Sequence, residues 1–203
     1  MTSHHARAVG PRVSKELRDR DDAGRPRTAV EDTEGGAPLR CCLRRSRPGE
    51  RVVLVSYAPL RRWAAETGAR PGAYDEQGPV FLHAGECRGP GTAATGYPFV
   101  RPGVLRVLRR YSADGHILGG HLLKIPETAD RTIDGAVDET IRKETAKEID
   151  EVVDAALTDA FAAPEVALVH VRAVEYGCFL YEVRRPRPGG APYETGPDVG
   201  RGE

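Results

Sequence analysis

Apolar positions recur with strand or helix spacing between residues 36 and 185 and lose that order on either side. "RVVLVSYAP" (51–59) is Val-rich and apolar on both faces near its centre, which predicts a strand that stops at Pro59. "LRRWAAETGA" predicts a short helix or loop, anchored by Trp63 and closed by Gly68 and Pro71. "GPVFLHAGEC" carries a second strand at 79–84. The Gly- and Pro-rich "CRGPGTAATGYPFVRPG" after it reads as a long loop, of a size that is often functional or mobile.

In "VLRVLRRYSADGHILGGHLLKI" two alternating runs flank Asp114-Gly115, the signature of a two-residue hairpin turn. That turn sets Ala113 opposite His116, Leu108 opposite His121 and Arg110 opposite Gly119. Arg106, Arg110 and His121 then share one face of the ribbon, and Val107, Arg109, Tyr111 and Leu122 the other. Neither face is purely apolar, so one side is expected to line a cleft or solvent.

"DGAVDETIRKETAKEIDEVVDAALTDAFAAP" predicts an amphipathic helix over 135–162, with Asp134 as N-cap and Pro164 as stop. Its stripe is Val137, Ile141, Ile149, Val152, Ala156 and Phe161, with Asp138–Arg142 and Glu139–Lys143 as favourable pairs. "EVALVHVRAVEYGCFLYEV" (165–183) is long enough to turn at 175–177 and give two paired strands. This order predicts one α+β domain at 36–185: a mainly antiparallel sheet with a central hairpin and one long helix packed on a face. Residues 1–35 and 186–203 mix Arg, Asp, Gly and Pro without apolar periodicity and read as disordered tails.

Composition narrows the function classes. The chain has 203 residues, 39% hydrophobic, with 30 basic and 30 acidic side chains. The balanced charge argues against a nucleic-acid or anionic-membrane binder, which needs positive excess. No apolar run reaches the roughly 20 residues that span a bilayer, and the N-terminus has no apolar signal core. Four cysteines are too few for a disulfide scaffold, so a cytoplasmic protein with reduced thiols is expected. G-x-G-x-x-G, G-x-x-x-x-G-K-[ST] and G-x-S-x-G are absent, so no nucleotide cofactor is expected.

The candidate chemistry starts at "PLRCCLRRSRPGE" (38–50). Arginines around Cys42 favour its thiolate, and a thiol nucleophile wants a histidine base. Cys42 with His83, His121 and His170 is therefore the expected catalytic set. Arg40, Arg106, Arg110, Tyr57 and Tyr176 are the expected substrate-binding set, because guanidinium groups bind carboxylates bidentately. No metal is expected, since no cysteine pair has strong ligand spacing; Cys42, His83, Cys87 and Cys178 are the alternative set for zinc. By strand alternation Cys41 is expected on the opposite side of the chain from Cys42.

"CLRRSRPGERVVLVSYAPL", "GPVFLHAGEC" and "VHVRAVEYGCFLYEV", in this order, resemble the bacterial family catalogued as domain of unknown function 1203. The resemblance spans residues 38–183. It implies a first block of the form Cys-Arg-x-Cys-Leu, where this chain has Leu39, Arg40, Cys41, Cys42 and Leu43, so Leu39 stands in place of one cysteine. The family itself implies no function. The leading expectation is a small-molecule enzyme without organic cofactor, acting by acid–base or thiol chemistry on an anionic substrate: isomerisation, cyclisation, elimination or hydrolysis. The alternative is a non-catalytic ligand- or partner-binding module. A small-molecule ligand is expected, nucleic acid and membrane are not, and a homo-oligomer stays open.

Overall fold

The structure is a computed structural model that describes residues 4–91, 96–127, 132–133, 136–137 and 139–185. The expected C-terminal tail, and the Asp134 cap and Asp138–Arg142 pair of the helix, lie outside the described residues.

The fold is α+β, with most strand pairings antiparallel, but it holds two main sheets rather than one. The first sheet has the order β1-β4-β5-β2-β3. Its strands are β1 (Ala29–Asp32), β2 (Pro38–Leu39), β3 (Arg44–Arg45), β4 (Glu50–Tyr57) and β5 (Gly78–His83). The second has the order β11-β10-β6-β7. It comprises β6 (Leu105–Ser112), β7 (Ile117–Lys124), β10 (Val166–Ala173) and β11 (Phe179–Arg184). A small hairpin, β8 (Thr132–Ile133) and β9 (Ala136–Val137), precedes the long helix α3 (Glu139–Ala162). Val137 therefore belongs to β9, not to the helix.

Side-chain alternation explains how the layers stack. On the central strand β10, Val169, Val171 and Ala173 face α3 and pack with Ile149, Val153, Leu157 and Phe161. The opposite face carries Leu168, which packs with Leu60 and Trp63 of α2 (Pro59–Thr67), and His170, whose ring meets Phe179 of β11. The buried stripe of α3 is rotated by one position from expectation: Val153 and Leu157 are its centre, and Val152 and Ala156 are partly buried flanks. Phe179 of β11 is the hinge between layers, buried among β4 and β5 residues and 5.5 Å from the Tyr57 ring.

The hairpin keeps its expected register away from the turn, but Ala113 does not face His116: Tyr111 pairs with Ile117 and Ser112 lies opposite His116. Ser112 N–H donates to His116, and Gly115 N–H closes on Ser112, so the loop has three residues, with Gly115 at φ +85°. A bulge between Arg110 and Tyr111 absorbs the extra residue. Leu108 still faces His121 and Arg110 still faces Gly119.

Residues 4–35 differ most from expectation, because they are folded. Pro11 opens helix α1 (Pro11–Asp19), whose Val13 and Leu17 join Val9 in the core of the first sheet. β1 pairs antiparallel with β4 from Ala29↔Val53 to Asp32↔Glu50. Three apolar side chains on one face suffice because the sheet already supplies the other half of the contact.

Candidate metal centre

Four side chains from two loops converge beside the short strands of the first sheet. Cys41 and Cys42 lie in the turn between β2 and β3, His83 ends β5, and Cys87 follows it. Their ligand atoms (three sulfurs and one imidazole nitrogen) all lie within 4.8 Å of one another. Cys41 Sγ is 3.2 Å from His83 Nδ1, and Cys42 Sγ is 3.8 Å from the same nitrogen. In a tetrahedral zinc site the sulfurs sit about 3.8 Å apart, given Zn–S bonds of about 2.3 Å. The set can hold a metal such as zinc.

Local backbone geometry makes this convergence. Residues 40–43 form a helical turn in which Leu43 N–H donates to Leu39 carbonyl at 2.8 Å. Leu43 sits at φ +58°, outside the strand region. Strand alternation does not apply inside a turn, so Cys41 and Cys42 both reach one point. The expectation that Cys41 is a bystander is corrected on that ground.

The surroundings favour sulfur anions and orient the imidazole. The His83 backbone N–H points at Cys41 Sγ, 3.4 Å away. The Cys42 thiol is pulled below its ordinary range, first by the hydrogen bond from Cys41 and then by the Arg44 backbone N–H, with His83 and the Arg44 guanidinium adding charge. Cys41 is pushed up, as the proton donor of the pair and by its burial. On the far side of the ring, His83 Nε2 has Glu50 Oε1 at 3.3 Å and Arg44 Nη2 at 2.8 Å. In this geometry Nε2 accepts from Arg44 Nη2, which leaves the ring hydrogen on Nδ1; a metal on Nδ1 would move that hydrogen to Nε2, where Glu50 accepts it once Arg44 turns off the ring. Arg44 also grips Glu50 with both nitrogens, at 2.8 and 2.5 Å, which holds that carboxyl far below the usual range. A carboxylate behind a ligating histidine fixes its tautomer and raises its basicity.

The other expected residues are dispersed. Cys178 is not in the cluster; its Sγ lies 3.5 Å from the Tyr176 carbonyl, and Cys41 takes the place the alternative zinc set gave it. His121 is exposed on the edge strand β7. His170 is 1% exposed, between the rings of Tyr111 and Phe179. Arg40, the expected helper of Cys42, turns away: Nε and Nη2 donate to the Phe179 carbonyl at 2.9 and 2.8 Å, and burial lowers its pKa to about 10. Arg106 is buried on the Phe99 carbonyl and Glu175. The Arg110 guanidinium packs over Gly119, Tyr176 is 82% exposed, and Tyr57 lines a cavity away from the sulfurs. Arg44 and Glu50, not Arg40, are the groups beside the thiols. The role of Glu50 needed His83 to be brought beside it.

Among the described residues no helix is long and apolar enough to cross a membrane. No curated protein and no solved structure matched the chain. The family model described as "Protein of unknown function (DUF1203)" matches residues 36–185, most of the chain, and the protein belongs to that family.

Proposed function

We propose that this protein is a metal-binding module of the non-catalytic kind, in which Cys41, Cys42, His83 and Cys87 hold one zinc ion in a closed tetrahedral site. The observation that supports it is the convergence of four ligand atoms within 4.8 Å, backed by Glu50 on the far nitrogen of His83. Thiolates and imidazole select zinc over harder ions, and four protein ligands leave no open position for a substrate. The place also needs a staple. β2 is two residues long and meets β5 in parallel through Leu39↔Phe81 alone. An ion joining the turn after β2 to the loop after β5 would lock that junction, and its binding energy would count as folding energy. Three thiolates on a divalent ion leave one negative charge, which Arg44 faces.

One observation favours a second reading, a thiol-dependent enzyme: Cys42 sits 3.8 Å from an imidazole with its acidity raised. Cys42 is only 8% exposed, however, and the cavities between α1 and α2 and beside α3 are lined by other residues. Elemental analysis of the purified protein decides between the two. About one equivalent of zinc is expected, lost in Cys41→Ser and Cys87→Ser and kept in Cys178→Ser. Less than a tenth of an equivalent, with no sulfur-to-cobalt absorption after cobalt addition, would reject the metal centre and favour the thiol enzyme.

A further inference from the structure

A cavity of about 230 Å³ lies between α1, α2 and β11, and none of the metal-centre residues lines it. Residues 7–13, which precede the family-matched region, form one wall. They are stitched in place where Arg7 N–H donates to the Glu182 carbonyl at 2.8 Å and Val9 N–H donates to the Arg40 carbonyl at 2.9 Å.

Four arginines, Arg7, Arg12, Arg62 and Arg184, line the cavity with two carboxylates, Glu66 and Glu182, and Glu16, outside the lining, pairs with Arg12 at 2.8 Å and with Arg62. Glu182 is 6% exposed at the rear. Its Oε1 accepts from Arg184 Nε at 2.6 Å and has Arg7 Nε at 3.5 Å. Arg184 also reaches Glu66 at 2.7 Å. Arg62 is held by Asp22, 2.6 Å from Nη2, and by Glu16 at Nη1, which fixes its guanidinium between two carboxylates. Beneath Glu182, His170 is fully buried, with Nε2 4.0 Å from Glu182 Oε2 and no hydrogen-bond partner for either ring nitrogen. The apolar part of the lining comes from the same segments: Val9 and Val13 of the N-terminal wall, Trp63 of α2 and Phe179 of β11, all buried.

From this juxtaposition we infer that the cavity binds a small organic carboxylate, its anion held by Arg7 and Arg12 of the N-terminal wall and its apolar part against Trp63 and Phe179. Oriented guanidinium forks suit a planar carboxylate, and the aromatic wall suits a ring or branched chain. The cavity is smaller than the roughly 300–1,000 Å³ pockets that take drug-sized ligands, so the ligand has on the order of ten non-hydrogen atoms.

The only tryptophan of the chain, Trp63, lines this cavity, so its fluorescence reports on this site alone. Full-length protein is titrated with benzoate, with benzylamine as the cation of the same shape, and with inorganic phosphate as an anion lacking an apolar part. Benzoate is expected to change Trp63 emission saturably and to bind at least tenfold tighter than the other two. Arg7→Gln and Arg12→Gln are each expected to weaken benzoate about tenfold with metal content unchanged. Three results overturn the inference: no saturable change with benzoate, benzylamine or phosphate binding as tightly as benzoate, or unaltered benzoate affinity in both variants. Metal content is measured separately, so loss of either site leaves the other standing.

Discussion

Lowering the pH should destabilise this protein through one residue, His170. Its ring is 1% exposed and lies 4.7 Å from the Tyr111 ring and 5.1 Å from the Phe179 ring, centroid to centroid. Neither nitrogen has a hydrogen-bond partner. Burial holds its pKa well below the ordinary 6.5, and Arg172, Arg109 and Arg184 push the same way. The folded protein therefore keeps His170 neutral where the unfolded chain protonates it. Stability from this residue is complete above about pH 6.5 and is lost as the pH falls below that value, by up to about 1.4 kcal/mol per pH unit. At pH 5 the unfolded state has gained about 2 kcal/mol from this one group. Glu182, 4.0 Å away, acts in the opposite direction, because burial raises its pKa above the usual carboxylate value and the folded state takes up its proton first. A comparison with His170→Phe separates the two, since phenylalanine fits between the same rings and leaves Glu182 in place. Urea unfolding of both proteins at pH 7.5 and pH 5 is the assay. The variant should lie within about 1.5 kcal/mol of wild type at pH 7.5, and should gain about 2 kcal/mol on it at pH 5. Parallel losses in the two proteins, or an imidazole NMR signal of His170 titrating near pH 6.5, would refute the reasoning.

Glu50→Gln should weaken zinc binding 10–100-fold in a chelator competition while keeping the stoichiometry, because it removes the carboxylate behind His83 but none of the four ligands. Gly96→Ala should destabilise the fold by about 1–3 kcal/mol in thermal or urea unfolding. Gly96 has φ +83°, and an added Cβ would fall 2.2 Å from an Asp150 carboxylate oxygen, the same carboxyl that accepts the Tyr97 N–H.

Much of the architecture was legible because it depends on local periodicity. β4, β5, the β6–β7 hairpin, α3 and the β10–β11 pair follow from alternation, helical spacing and turn residues, each fixed by neighbours within a few positions. The register Leu108↔His121 followed too, even though a bulge offset a longer turn. The N-terminal helix was hidden for the opposite reason. Val9, Val13 and Leu17 give too weak a stripe to fold alone, and only the first sheet makes their burial worthwhile.

The candidate site divides along the same line. By itself the sequence determined which chemistries were on hand: four thiols, a strand-end histidine, and arginines beside two adjacent cysteines. Only the tertiary structure decided which of them meet. It placed Cys41 with Cys42 because residues 40–43 turn instead of extending, and it brought His83 and Cys87 across because β2 lies against β5. It sent Arg40 to the Phe179 carbonyl and left Cys178 outside the cluster. Periodicity encodes the face on which a side chain lies, whereas ligand convergence depends on contacts between residues some 40 positions apart, and no local pattern carries those.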